Sequence, residues 1–188
     1  MKARSKVGRI LVAAGFGLAA LAGAVAPAGA ADTTTTFSLT AGGLAISAPA
    51  SKDLGSAATA AAAIAGVQLG NVSVADTRGA LLGAWTASVT SSDFTIGDPL
   101  EASAEETIAK ANADYWSGAS ISPTGTAVRV PGQATVANKV TLAASRTAFT
   151  ASAVVGNGTT TWNPTVSVNI PASAVAGDYE GTITHSVA

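Results

Sequence analysis

Apolar and polar residues alternate with a period of two along most of the chain after residue 36, which is the pattern of half-buried β-strands. In three such segments a pair of apolar residues points to one side: Phe37 and Leu39, Leu44 and Ile46, and Val72 and Val74. Gly, Pro or Asp closes each stretch. Short strands at this spacing predict an antiparallel sandwich or barrel rather than alternating strands and helices.

Three longer stretches predict the main strands of the core. The stretch Leu81 to Val89 places Trp85 on the same face as its two apolar ends. The second stretch starts at Trp162 and continues through Pro164 to Ile170, and the third extends from Tyr179 to Val187. Trp85 and Trp162 are therefore expected to fill the interior, where a ring of this size contributes roughly 3 to 5 kcal/mol.

Two short segments have the residue composition of tight turns. Asn157-Gly158, between two expected strands, predicts a type I′ hairpin, and Asp76-Thr77-Arg78-Gly79 predicts a type I turn with an exposed, weak ion pair between Asp76 and Arg78. The alanine-rich stretch 51–70 has almost no apolar face and predicts a loop. Ser103-Ala104-Glu105-Glu106 has the form of a capping box, so a short helix over 104–113 is an alternative to a loop there.

The N-terminus has the order of a cleavable secretory signal. Basic residues up to Arg9 precede an uncharged apolar stretch from Ile10 to Val25, and Ala28-Gly29-Ala30 supplies a cleavage site. The apolar stretch is shorter than the roughly 20 residues of a membrane span. We therefore expect residues 1–30 to be a signal peptide, and residues 31–188 to form one exported domain with no membrane segment.

Charge and cysteine content narrow the classes of possible partner and the kinds of interaction that can stabilise the fold. Four of the ten Lys and Arg residues lie in the signal, so residues 31–188 carry six basic against eleven acidic side chains. This balance disfavours nucleic acid as a partner. The chain has no cysteine, so packing and sheet hydrogen bonds are expected to stabilise it without disulfides or thiolate metal sites.

Candidate catalytic groups are few. The single histidine, His185, could be a general base or a metal ligand, but no other ligand stands at a metal-site spacing. A partly buried ring on the last strand is the favoured interpretation. No G-x-S-x-G elbow is present. The prediction is a protein that is not an enzyme and that uses no cofactor or metal.

Acidic residues concentrate in one region, with Lys110 as the only base among them. They are Asp93, Asp98, Glu101, Glu105, Glu106 and Asp114. Such a group could bind Ca²⁺ or provide a glycosidase carboxylate pair, but the spacing of a calcium loop is absent, which favours a solvated loop. Nearby, Tyr115 and Trp116 point to opposite faces of a strand, so one ring is a candidate exposed contact for a sugar or a protein.

Two segments resemble the signatures of the WxL-domain surface proteins of Gram-positive bacteria, in particular the secreted single-domain forms of high-GC species. One is Gly83 to Phe94, where a tryptophan strand leads into Ser92-Asp93-Phe94, and the other is the closing stretch Val166 to Val187. The resemblance implies an immunoglobulin-like β-sandwich associated non-covalently with peptidoglycan, with Trp85 and His185 as wall-binding candidates. Both Trp-x-Leu motifs are altered, to Trp85-Thr86-Ala87 and His185-Ser186-Val187, and no catalytic residue carries over.

These observations lead to one main expectation and one alternative. The main expectation is a non-catalytic, secreted or wall-associated β-sandwich that binds a cell-wall polymer or another surface protein. The alternative is a secreted carbohydrate-binding protein or glycan hydrolase that uses the acidic loop 93–114 and Trp116. A third possibility is a subunit that gives or receives a β-strand, because its predicted edges are rich in Thr and uncharged.

Overall fold

Antiparallel strands account for nearly all regular structure in the computed structural model, which describes residues 34–59 and 61–188. The predicted all-β sandwich is confirmed. The signal peptide predicted for residues 1–30 lies outside the described residues. Residues Leu39–Ala188 form one compact unit. Among the described residues, no helix has the length and apolar character needed to cross a bilayer.

Three sheets make up this unit. Sheet A contains β1 (Leu44–Ser47), β3 (Val72–Ser91), β7 (Ser120–Ile121), β8 (Thr126–Pro131), β10 (Arg146–Trp162) and β13 (Ile183–Val187). Sheet B contains β2 (Ala63–Gln68), β6 (Ala113–Trp116), β9 (Val140–Thr141) and β11 (Thr165–Asn169). Sheet C contains β4 (Phe94–Ile96), β5 (Thr107–Ile108) and β12 (Tyr179–Glu180). Short 3-10 helices occupy Lys110–Asn112 and Val136–Asn138.

The long strands β3 and β10 pair with each other and are the centre of sheet A. The first half of β3 also pairs with β1, and its second half pairs with β13. On the other side, β10 pairs with β8 and, near its end, with β7. The buried apolar side chains lie mostly on this ribbon and on β6 and β11 of sheet B.

The ribbon of β3 and β10 is sharply bent. Phe149 and Trp162 both lie in β10, and a straight strand of that length would separate them by roughly 43 Å, yet their ring centroids are 5.1 Å apart. The bend coincides with register shifts on both sides of Val154 and between Gly156 and Gly158. Positive φ values at Gly79, Leu82, Ala153 and Gly156 mark the same place.

Both hairpin turns predicted from the sequence are wrong, because their residues lie inside β3 and β10. Gly158 pairs with Asp76, and the Asn157 Oδ1 atom accepts a hydrogen bond from the Gly79 backbone N–H at 3.0 Å. The turn-forming residues of the two strands therefore stand beside each other, and their positive φ angles bend the ribbon instead of reversing the chain. The bend also exposes Leu81 (81%), which the unbroken alternation places on the face of Trp85.

The ion pair between Asp76 and Arg78 is present, but the prediction that it is exposed is wrong for its acidic partner. Asp76 is only 2% exposed, and it accepts hydrogen bonds from Arg78 Nε at 2.9 Å and Nη2 at 2.8 Å. These bonds hold the pKa of Asp76 below its ordinary value. Arg78 Nη2 also donates to the Ala84 carbonyl at 3.0 Å, so one side chain spans the bend.

Replacing Arg78 with Met is expected to lower the free energy of unfolding by about 1 to 3 kcal/mol, because a buried carboxylate then lacks its charged partner. Urea denaturation followed by circular dichroism measures this loss. Lys52→Met, at an exposed position, is the matched control and should change stability by no more than about 0.5 kcal/mol. Equal losses in the two variants would contradict a structural role for the Arg78 side chain.

Several other strand predictions need correction. The strand expected at Phe37 and Leu39 is absent: the described residues before β1 belong to no strand, and these side chains are 88% and 90% exposed. The stretch from Trp162 to Ile170 is divided at Asn163-Pro164, where the chain passes from sheet A to sheet B. The last stretch is divided at Gly181-Thr182 into β12 and β13.

The structure also defines the conformation of the two segments for which the sequence signal was ambiguous, 51–70 and 104–113. The stretch 51–70 is a loop at first, as expected, but β2 occupies Ala63–Gln68. The short α-helix that was an alternative for 104–113 does not form, and only the 3-10 helix Lys110–Asn112 falls within that range. The capping-box contact nevertheless forms, because Ser103 N–H donates to a Glu106 carboxylate oxygen at 3.0 Å. It closes a turn that leads into β5, so the motif here stabilises a turn rather than a helix.

Candidate functional site

Sheet A brings together the two segments singled out by their resemblance to WxL signatures. Strand β13 pairs with the second half of β3, so that Val187 stands opposite Ala87 and His185 opposite Val89. The ladder extends to Ala188, whose N–H and carbonyl both bond to Thr86. The segments Trp85-Thr86-Ala87 and His185-Ser186-Val187 are therefore neighbours, although they are a hundred residues apart in sequence.

Trp85 points inward and is 5% exposed, as the alternation predicted. Its neighbours on the same face of β3, Ala87 and Val89, are fully buried. An indole in this position supports the core, and it does not present a ring on which a wall polymer could stack. If the segment contacts a partner, the contact has to be made by the outward residues of the same strand.

His185 is half-buried and belongs to an aromatic cluster. Its Nε2 atom lies 3.1 Å from the Tyr115 hydroxyl, and Trp162 Nε1 donates a longer bond of 3.4 Å to the same hydroxyl. Trp162 stacks on Phe149 and meets the His185 ring edge-on at 6.3 Å between centroids. The cluster joins β6 of sheet B to β10 and β13 of sheet A, so it connects the two layers.

Burial shifts the acid-base properties of this cluster. It lowers the pKa of His185 to about 4 and raises the pKa of Tyr115 well above its ordinary value. The His185 Nδ1 atom is buried and has no hydrogen-bond partner among the described residues. A neutral imidazole that receives the tyrosine hydroxyl bond at Nε2 fits this geometry, whereas an imidazolium would place a charge where no carboxylate is in contact.

Tyr115 and Trp116 point to opposite faces of β6, as predicted. The proposed exposure of Tyr115 is wrong, because this residue is fully buried. Trp116 is half-buried and packs against β2: a side chain added at Gly66 would approach the Trp116 ring to 2.5 Å. Gly66 therefore leaves the space into which the indole fits, and Trp116 is a packed, half-buried residue.

Four of the six acidic residues of 93–114, Asp93, Asp98, Glu106 and Asp114, are engaged in local structure. Asp93 accepts a bond from the Lys110 backbone N–H at 2.8 Å, and Asp98 accepts one from the Leu100 N–H at 2.9 Å. Asp114 is 6% exposed and binds the Lys139 ammonium at 2.6 Å. Within the described ranges, no group of three or more His, Cys, Asp or Glu side chains is placed to hold a metal ion.

The outer face of sheet A carries no charge. Where its strands are exposed, their residues are all Ala, Gly, Ser, Thr, Asn, Val, Leu or Ile. The central part is an uncharged band that we define by its outward residues: Thr86, Ser88, Thr90, Val128, Val130, Thr150, Ser152, Thr184 and Ser186. Cross-strand pairs connect it from β13 to β8, and the Ser88 and Ser186 hydroxyls are 3.0 Å apart.

A cavity of about 640 Å³ opens between the loop 48–59 and the segment 174–183. Its floor is apolar and includes Val72, Phe94, Ile108 and Val168, whereas Lys52, Asp53, Asp178 and Glu180 line it closer to solvent. The covering loop is rich in Ala, Ser and Gly, so it fills little of the space beneath it. His185 forms part of the wall, which places the aromatic cluster between the cavity and the core.

The sequence identified Trp85, Trp162 and His185 as inward residues. It did not predict the uncharged band or the cavity. The uncharged band depends on which strands become neighbours, although the Thr- and Ser-rich outward positions of each strand are visible in the sequence. The cavity lies under a loop that has no pattern of its own. Comparison with known proteins adds no family: no family model, no curated protein and no solved structure matches the chain.

Proposed function

We propose that this protein is a non-catalytic, exported binding module that attaches to the cell envelope through the uncharged band of sheet A. A wall polymer such as peptidoglycan, or a surface protein, is the partner. The observation that carries the proposal is the absence of charged residues from the exposed positions of sheet A's strands, in a domain whose acidic residues lie mainly elsewhere. A surface of this kind favours an extended, weakly charged partner over a strongly ionic one.

The chemistry of the band supports contact with a polymer rich in hydroxyl and amide groups. Each Ser or Thr hydroxyl can donate one hydrogen bond and accept two, and the side chains stand on neighbouring strands at the spacing of the sheet. Val128 and Val130 are 57% and 52% exposed at one margin. They add apolar surface against which the non-polar face of a sugar or a peptide can pack.

The WxL-like segments fit this proposal in a supporting role. Trp85 and His185 pack inward from β3 and β13, while Thr86, Ser88, Thr184 and Ser186 project outward from the same strands. The inward residues hold the two strands in register, and the outward residues supply the contact. Any wall binding by this chain is then a property of the sheet surface rather than of the tryptophan ring.

The alternative, a glycan hydrolase or carbohydrate binder that uses the acidic loop and Trp116, has less support. Asp93, Asp98 and Glu106 accept backbone hydrogen bonds within their own turns or from a neighbouring one. Trp116 packs over Gly66 instead of standing free above a groove. No observation brings a carboxylate pair together with this ring.

A pull-down on purified peptidoglycan tests the proposal. Val130→Lys introduces a charged, strongly hydrated group at the margin of the band and is expected to lower retention about tenfold, equivalent to about 1.4 kcal/mol. Val136→Lys is the matched control, because Val136 is similarly exposed (57%) but lies outside sheet A.

Two results would remove peptidoglycan as the partner: no retention of the unaltered protein above a control protein, or equal losses for Val130→Lys and Val136→Lys. The same pair of variants can then be assayed on intact cells. Binding that distinguishes them on cells but not on peptidoglycan would assign the band to a surface protein. No difference in either assay would overturn the proposed role of the band.

A further inference from the structure

The cavity beneath the loop 48–59 has room for a small molecule. Its volume of about 640 Å³ lies in the range of small-molecule sites, roughly 300 to 1,000 Å³. Close packing leaves few voids larger than a water molecule in protein interiors, and an apolar void of about 150 Å³ already accommodates benzene. Because the floor is formed by apolar side chains, among them Phe94 and Ile108, the space suits a ligand with a substantial apolar part.

The loop 48–59 is held over the cavity mainly by one side chain. Leu54 is the one residue of the loop that is not exposed, and it packs against the core. Among the described residues, the hydrogen bonds of the loop stay local: Gly55 N–H donates to the Asp53 carboxylate at 2.7 Å, and the Ala58 carbonyl accepts from Ala61 N–H at 2.8 Å. A ligand can therefore enter by displacing Leu54, without breaking a strand ladder.

The opposite wall, formed by 174–183, is fixed by hydrogen bonds. Val175 N–H donates to the Glu105 carbonyl at 3.1 Å. The Tyr179 hydroxyl lies 2.9 Å from the Val175 carbonyl oxygen and 3.1 Å from that of Glu105. Tyr179 and Glu180 also pair with β4 of sheet C. The entrance therefore has one firm side, which holds Glu180 at the mouth, and one side that can move.

The mouth of the cavity is acidic. Its charged residues are Lys52 and Asp53 on the loop and Asp178 and Glu180 on the opposite wall, and all four are exposed. One positive and three negative side chains give the mouth a formal charge of −2 at neutral pH. Such a mouth attracts a cation and repels an anion, and salt weakens the effect because the charges are exposed. His185, in the wall of the cavity, is neutral at this pH because burial lowers its pKa to about 4.

We propose that this cavity binds an amphiphile with an apolar chain and a positively charged head group. The chain lies over the apolar floor beneath Leu54, and the head group stays at the mouth, close to the carboxylates of Asp178 and Glu180. The proposal does not depend on the proposed attachment to the envelope, because no residue of the uncharged band lines the cavity. The two sites can therefore be tested separately, and either can fail without the other.

Octylamine, octanol and octanoate are matched probes, since they share one alkyl chain and differ in the charge of the head group at neutral pH. The ring signals of His185, the single histidine, report occupation of the cavity by nuclear magnetic resonance. Octylammonium is expected to shift these signals until they saturate, and to bind at least about tenfold more tightly than octanoate. Octanol should bind with intermediate affinity, and added salt should narrow the difference between the two charged probes.

Two double variants test the role of the acidic mouth. Asp178→Asn/Glu180→Gln keeps the shape of the side chains but removes the net charge, so octylammonium and octanoate should then bind with affinities within about threefold of each other. Glu101→Gln/Glu105→Gln is the matched control, because it removes two exposed carboxylates that do not line the cavity. It should keep the preference for octylammonium. Circular dichroism checks that both variants are folded.

Three results would overturn the inference. The first is that none of the three probes shifts the His185 signals. The second is that octanoate binds the unaltered protein as tightly as octylammonium, and the third is that the two double variants lose the preference equally. None of these results bears on retention by peptidoglycan, which depends on the uncharged band.

Discussion

Replacing Trp162 with Ala is expected to lower the free energy of unfolding by about 3 to 5 kcal/mol, a large share of the stability of a single domain. Trp162 is fully buried and stacks on Phe149 from the other arm of the bent ribbon, at 5.1 Å between centroids. It also donates a long hydrogen bond to the Tyr115 hydroxyl. Truncation would leave a cavity where both arms of β10 meet sheet B.

Chemical denaturation followed by circular dichroism measures the loss, with Trp116→Ala as the matched control. The control removes an equal side chain that is only half-buried, so its cost should be smaller by at least about 1 kcal/mol. A greater loss for Trp116→Ala would contradict the assignment of Trp162 as the contact between the arms. If Trp162→Ala fails to fold, Trp162→Phe keeps a ring on Phe149 and gives a measurable intermediate loss.

Stability is expected to fall by about 3 kcal/mol at most as the pH is lowered from 6.5 to 4, because of His185. Burial lowers the pKa of His185 from 6.5 to about 4 in the folded protein. Between these values the unfolded chain binds a proton at His185 and the folded chain does not, so protons favour unfolding. Asp76, whose pKa is also lowered, adds a further loss only below about pH 4.

Other groups around His185 do not offset this effect in the same pH window. The Tyr115 hydroxyl stays neutral there, because burial raises its pKa. Asp53, Asp178, Glu180 and Lys52 line the neighbouring cavity, but none of them forms an ion pair with His185. The imidazolium would therefore have to displace the tyrosine hydroxyl bond or draw β13 away from the core.

Nuclear magnetic resonance gives the direct test, since the chain has a single histidine and its ring signals need no assignment by mutation. A midpoint near pH 4 in the folded protein is expected, and a midpoint near 6.5 would contradict the burial of the ring. His185→Gln provides the matched stability control. Its free energy of unfolding should vary much less between pH 6.5 and 4, and an equal loss in both proteins would assign the pH dependence to other groups.

The sequence alone was informative wherever a residue's neighbours are close in the chain. Alternation predicted the burial of Trp85 and Trp162 and the inward side of His185, because the side-chain direction in a strand repeats every two residues. It failed at Leu81, where a positive φ at Leu82 breaks the alternation. A non-glycine residue with this backbone conformation carries no signature in its own side chain.

Turn signals were placed correctly but were interpreted wrongly. Asn157-Gly158 and Asp76 to Gly79 have the composition of hairpin turns, since their residues tolerate unusual backbone angles. Whether such residues reverse the chain or bend it depends on what each strand pairs with. Because β3 and β10 pair along nearly their whole length, the two signals stand side by side and together produce the bend.

The strand predicted at Phe37 to Thr40 also shows that a local pattern does not determine pairing. Its alternation is suitable for pairing, but a strand also needs a neighbour, and the contact of this part of the chain with β3 ends where Gly42 and Gly43 bond to Thr77. The pattern of the segment is local, whereas the availability of an edge is not.

What this amino-acid sequence determined by itself is an all-β chain with two core tryptophans, an inward histidine and two of the segments at which the backbone deviates, Asp76 to Gly79 and Asn157-Gly158. The tertiary structure decided which strands are neighbours, and with them the bend of the ribbon, the contact of His185 with Tyr115 and the uncharged band across four strands. The physical reason is that alternation and backbone tolerance are properties of adjacent residues, while pairing joins residues that are far apart in the chain.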